Sequence, residues 1–321
     1  TLLSTIDLAA TTAAASLATA ASANSRNGNG DPSKGKGDTQ SFSEEDKKRL
    51  REQADGKGDW DPDANQTSMP DCFMLVTLQG YSATEKGQQF LRDHVKWDDG
   101  KGCFTVTLYD DKGNEVHVDV YDYYANGAKD KAGRPTLMSI YERAYGKRFG
   151  DDDLNNKPPA EAMKRISGKD VTPANTWGGT GFFWFLAGED HKYSGRQWGN
   201  IDRSVDAGCP VVAVTAEDMP PGTKVEAATD TNGDGKIDTE NKGAHGEAPD
   251  REVTRRLGSG EGKAHAYTVV AVDDQYVTLR NPWGMNLTPK GEHADTGLIR
   301  ISREDYERYF SQTRIAAEPS K

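Results

Sequence analysis

Residues 262–284 read GKAHAYTVVAVDDQYVTLRNPWG, two runs of alternating β-branched and apolar residues meeting at Val272-Asp273-Asp274. Period-two alternation on either side of an acidic turn is the pattern of a β-hairpin. A three-residue loop, Val272-Asp273-Asp274, pairs residue 271 with 275 and sets His265 opposite Asn281 on one face. A two-residue loop at Asp273-Asp274 shifts the register by one and sends Asn281 to the other face. In the first arrangement the amide fixes the imidazole's orientation and leaves the ring able to hold a proton beside a thiolate, the Cys-His-Asn form of a nucleophilic triad. Trp283 is placed to cover that hydrogen bond from water.

A thiolate would have to come from one of three cysteines. A reactive thiol needs a helix N-terminus or a nearby imidazolium to lower its pKa, and a donor for the developing oxyanion. Cys72 is the one at an expected helix start, with Asp71 as N-cap ahead of the buried run CFMLVTL, and Gln66 sits on a loop able to return an amide to the same spot. Cys103 opens a strand and Cys209 precedes Pro210, and both read as small buried hydrophobes. A lone Cys ahead of an apolar helix reads equally as core filler, so the His265 and Asn281 pattern is what singles out Cys72.

The wider composition is polar. Of 321 residues 34 % are apolar and the formal net charge is -11, below the usual ~45 % apolar content of folded domains. The deficit is local. Residues 24–39 contain no apolar side chain and read as a linker after an Ala/Ser-rich start, together spanning 1–42, and residues 220–262 form an acidic insert. An acidic balance argues against nucleic-acid or anionic-membrane partners, and no apolar run approaches the ~20 residues that span a bilayer. The first residue is Thr1, from which the expectation is a piece of a longer, bacterial protein.

Between the polar stretches the patterning is helical first and strand-rich second, an α+β arrangement. A charged helix is expected from Ser43-Glu44-Glu45 to about Arg51, another from Lys86 to Val95, a hairpin over 103–120, and helices over 135–147, with Pro135 first, and 159–166. Gly178 and Gly179 mark a hinge. Strands follow at 181–187, 210–215 and 297–302 beside the opening hairpin, then a helix over 303–310.

Within the insert, Asp230, Asn232 and Asp234 offer oxygens at positions 1, 3 and 5 of a calcium loop, Gly235 gives the turn, Lys236 a backbone carbonyl and Asp238 an acid at position 9. Position 12 is Asn241 rather than Glu, so a weakened calcium site is the expectation beside a plain solvated acidic loop.

The hairpin string resembles the His-to-Asn segment of the calpain-type cysteine proteases, roughly G-H-A-Y-S-V, a strand, then L-R-N-P-W-G. NQTSMPDCFMLVTL is similar to that family's Q-G-x-x-G-D-C-W-L-L-A-x-L, with Gln at the same offset from Cys. PTLMSIYERAYGKRFG, GCPVVAVT and GLIRISREDYERYF add three more matches in family order, across about residues 44–315. The resemblance implies a papain-like fold of two subdomains, 43–178 carrying Cys72 and 179–321 carrying His265 and Asn281, with the active site between them. It implies Cys72 as nucleophile, His265 as general base and acid, Asn281 as its orienter, and Gln66 with the Cys72 N–H as oxyanion hole. The implied substrate is a peptide bond in an extended protein segment, the chain's own 24–42 region included. Thr67, Pro70 and Phe73 depart from the pattern, and 285–297 lacks the family's Trp-rich calcium segment. The alternative is a catalytically inactive calpain-like fold serving as a calcium-dependent binding module.

Overall fold

The structure, a computed structural model, describes residues 37–60, 64–152, 154, 157–176, 192–214, 224–227, 245–247, 265–284, 286–287, 293–294, 297–310 and 312–319. A short strand β1 (Thr39–Ser41) leads into Phe42, buried against Phe104 and Tyr123, so the chain is tied to the domain a few residues ahead of the expected boundary at 42. Ser43 accepts the Asp46 N–H and starts α1 (Glu44–Ala54), whose first turn carries Glu44, Glu45 and Asp46 at its positive end. The next helix, α2 (Cys72–Ser82), is buried along its whole length, as an all-round apolar sequence requires. Asp71 holds its N-cap position, but contrary to expectation its side chain makes no capping bond.

α3 (Glu85–Asp93) ends earlier than the expected Val95 because Val95 is drawn into a strand, β2 (Val95–Asp98), opposite Val106. The hairpin of β3 (Cys103–Tyr109) and β4 (Glu115–Val120) forms as patterned, its turn held by Asp110 accepting the Lys112 and Asn114 N–H groups. β5 (Asp122–Tyr124), too short to read from alternation, pairs with β1. Thr136 rather than Pro135 starts α4 (Leu137–Tyr145): its hydroxyl accepts the Met138 N–H while Ser139 accepts the Thr136 N–H, a reciprocal cap no proline can make. After a π turn over Gly146–Gly150, α5 (Pro159–Ser167) begins on its proline as expected.

In the second half, β6 (Thr172–Asn175) and α6 (Gly195–Asp206) precede β7 (Val211–Val214), and β8 (Lys224–Ala227) and β9 (His245–Glu247) are drawn from the acidic insert. β10 (Ala266–Val272) and β11 (Tyr276–Arg280) are the opening hairpin. β12 (Asn286–Leu287), β13 (His293–Ala294), β14 (Leu298–Ser302), α7 (Arg303–Tyr309) and β15 (Gln312–Ile315) complete the chain. The antiparallel sheet runs β6-β15-β7-β10-β11-β14-β8-β9. The architecture is α+β, with two apolar clusters sharing β10. Ala266 belongs to the cluster around α2, and Tyr267 and Val269 belong to the one formed with α6 and α7. The Thr268 hydroxyl crosses between them to the Val76 carbonyl of α2 at 2.9 Å. The expected strand at 181–187, the Gly178-Gly179 hinge and the boundary at 178/179 lie outside the described residues. Among those described, no helix is long and apolar enough to cross a membrane.

Candidate active site

The hairpin register differs from both sequence alternatives. Val272 pairs with Val277 and Ala271 with Thr278, but Val269 pairs with Leu279 and Thr268 with Arg280. Val270 is therefore an extra residue, a bulge. Were Val270 paired in the ladder instead of bulged, Asn281 would fall level with Thr268, on the face away from His265. With the bulge, Asn281 falls level with Tyr267 and becomes the diagonal neighbour of His265 on the same face. The expected directly opposite pair is thus displaced by two residues, and an even displacement leaves the face unchanged.

The outcome is a buried hydrogen bond between His265 Nε2 and Asn281 Oδ1 of 3.1 Å, with His265 6 % exposed and Asn281 fully buried. Asn281 Oδ1 also accepts the Trp283 N–H at 3.1 Å, and its backbone N–H donates to the Gly297 carbonyl. The Trp283 ring lies 4.8 Å from the imidazole and Tyr267 stands edge-on at 4.9 Å, an apolar wall around the bond. Gly284 closes this turn at φ +68°, and a Cβ there would meet the Asn65 amide at 2.1 Å, so only glycine fits. One residue beyond Asn65, the Gln66 N–H donates to the Pro282 carbonyl at 2.8 Å. The loop ahead of Cys72 is in this way sewn to the turn after Asn281.

Cys72 is the first residue of α2 and 7 % exposed. Its sulfur is met by the N–H of Ala266, the residue after His265, and by the N–H groups of Phe73 and Cys72 at the helix start. These donors favour a thiolate, but burial outweighs them and pushes the thiol up to about 12, helped by the charge of Asp71. Burial likewise pushes His265 down to about 4, against the pull of the Asn281 bond. Burial thus disfavours the charged form of both groups. Nε2 of His265 is committed to Asn281.

The Gln66 amide, expected as an oxyanion donor, is engaged within its own loop. Its Nε2 donates to the Met69 carbonyl at 2.6 Å, and its Oε1 is buried without a partner among the described residues. Thr67, one of the departures from the resembled pattern, donates its hydroxyl to the Asn126 and Gly127 carbonyls and fixes this path. Cys103 is buried and Cys209 half-buried, both free thiols. The calcium series Asp230, Asn232, Asp234, Lys236 and Asp238 lies outside the described residues, among which no three or more His, Cys, Asp or Glu side chains are grouped to hold a metal.

Two features escaped sequence reasoning. One is the Val270 bulge, which has no residue-type signature. The other is Glu142, an acid buried completely in α4, whose carboxyl meets that of Asp71. Its one sequence signal was a charge on a helix whose other residues are largely apolar. A scan against protein-family models and a search of curated proteins found no match to this chain.

Proposed function

We propose that this chain is a thiol endopeptidase with a calpain-type, papain-like core, acting through Cys72, His265 and Asn281. The observation that carries the reading is the shielded His265–Asn281 hydrogen bond, one residue from the N–H that meets the Cys72 sulfur at the start of α2. Nδ1 of His265 takes the thiol proton as the sulfur attacks the peptide carbonyl carbon. The oxyanion gathers at the Cys72 N–H, where no preceding turn supplies an acceptor, with the Gln66 amide once it turns from Met69. The imidazolium then gives its proton to the leaving amine, and the acyl-enzyme is hydrolysed by a water that His265 deprotonates. Residues 24–39, which carry no apolar side chain, have the composition of an exposed extended segment that such an enzyme would cleave.

The test is hydrolysis of an unfolded, labelled protein substrate by the full chain beside Cys72→Ala. Activity confined to the unaltered chain supports the reading, and equal rates end it. The calcium part of the proposal rests on the donors from Asp230 to Asp238. Chelation is expected to lower the rate, added calcium to restore it, and Asp230→Ala to abolish the response. Burial that disfavours the charged forms of Cys72 and His265 favours a second reading, a silent calpain-like binding module. Absence of hydrolysis at every calcium level would favour it.

A further inference from the structure

The proposed mechanism leaves unused a carboxyl group next to its nucleophile. Asp71 is fully buried, and among the described residues neither of its carboxyl oxygens has a donor in hydrogen-bonding geometry. The Glu142 carboxyl, equally buried, lies against it. Both Glu142 oxygens face the Ala128 N–H, at 3.1 and 3.0 Å, and Gly127 brings the backbone so close that a Cβ there would stand 2.0 Å from Oε2. The same loop continues the grip: the Ala128 carbonyl accepts the Ser139 hydroxyl of α4, and the Asn126 carbonyl accepts the Met69 N–H two residues before Asp71.

The groups facing the pair are few. Lys129 acts on Glu142 through space, its ammonium resting over the Tyr123 ring at 5.8 Å; the Gln66 amide and the Cys72 thiol stand beside Asp71. Among the described residues neither carboxyl makes an ion pair. Two carboxylates in contact without a counter-ion repel, whereas one proton between them turns the contact into an O–H···O bond. Burial raises both, Asp71 to about 6 and Glu142 well above the carboxylate range.

Resting on the protease reading for its consequence at Cys72, we propose that Asp71 and Glu142 hold one proton between them as a positioning pair. The pair ties the nucleophile's end of α2 to α4 and the 126–128 loop. Glutamine reproduces a protonated Glu142, because its amide donates to Asp71 and its oxygen accepts the Ala128 N–H. Alanine reproduces neither.

The sign of the pH effect follows from the raised native values. The unfolded carboxyls ionise near pH 4 to 4.5, so above that range the native state binds more protons than the unfolded chain. Stability contributed by the pair is complete below it and falls as pH rises, by up to about tenfold in the unfolding equilibrium per pH unit per proton.

The experiment measures denaturation midpoints from pH 4 to 9 and the iodoacetamide labelling rate of Cys72 in the full chain, Glu142→Gln and Glu142→Ala. Glu142→Gln is expected to fold at pH 7 and to lose less stability than the unaltered chain as pH rises. Glu142→Ala is expected to be less stable throughout and, where folded, to label Cys72 at an altered rate that Glu142→Gln restores. Parallel pH profiles for the unaltered chain and Glu142→Gln, or equal damage at pH 7 from both substitutions, would overturn the shared proton. A folded Glu142→Ala that labels at the unaltered rate would overturn the positioning role. Failure of the protease reading is separate, since the midpoints report on the pair even in a chain that cleaves nothing.

Discussion

His265 is held neutral by its surroundings: Trp283 and Tyr267 exclude water, and that burial outweighs the help Asn281 gives the charged ring. An imidazole with a depressed native pKa binds fewer protons folded than unfolded between about pH 6.5 and 4. Its stability contribution is therefore complete above about pH 6.5 and lost as pH falls through about 4, the reverse of the Asp71–Glu142 pair. Denaturation midpoints are expected to drop on acidification, with up to roughly 3 kcal/mol from this residue, and His265→Gln is expected to lack that component. Cys72, His265 and Asn281 were legible because each sits at a recognisable place, a helix start or a strand end. The acid pair was not, because nothing local at Asp71 or Glu142 reports that α4 brings them together. Gln66 was legible as a position, but its amide direction is set by Met69 and Thr67.

At the scale of elements, the hairpin of β10 and β11 is where the site is decided. Alternation revealed both strands but not their register, since the register depends on one surplus residue. Deleting Val270 leaves Val269 opposite Leu279 and Ala271 opposite Thr278 as consecutive pairs of a regular ladder. The deletion variant is therefore expected to keep a native-like circular dichroism spectrum and to keep His265 and Asn281 on one face, read as retained Cys72 labelling. Loss of the fold or of labelling would mean that the local twist of the bulge is needed in itself. Helices α1 to α5 and α7 were legible through their caps and apolar faces, whereas α6, the longest of the described helices, was missed although Ser194 and Gln197 form a capping box at its start. β1, β5, β6 and β15, three or four residues each, were not, because their strand character comes from distant partners.

Across the whole molecule, α2 is the shared element. Gly80 meets Pro210, which precedes β7, so closely that a Cβ would stand 2.7 Å from the proline ring and 2.8 Å from its backbone. The Tyr81 hydroxyl reaches the Ala317 carbonyl beyond β15 at 3.1 Å. Gly80→Ala should therefore push the halves apart, at a cost of about 1–3 kcal/mol, seen as a lower urea midpoint. The succession of mostly helical and then mostly strand patterns was legible in the sequence. The return of β15 between β6 and β7 was not, because such a crossover leaves no local trace. The low apolar content belongs to the polar segments and not to the two cores, which are rich in buried aromatic residues. The central claim is that the two halves make one thiol-imidazole site, and it is tested most directly by peptide mapping after exposure to an epoxysuccinyl thiol inhibitor with and without calcium. Modification is expected at Cys72, with Cys103 and Cys209 spared and the reaction suppressed in folded His265→Gln. Folded chain with Cys72 unmodified in both conditions, or modified equally without His265, would contradict it.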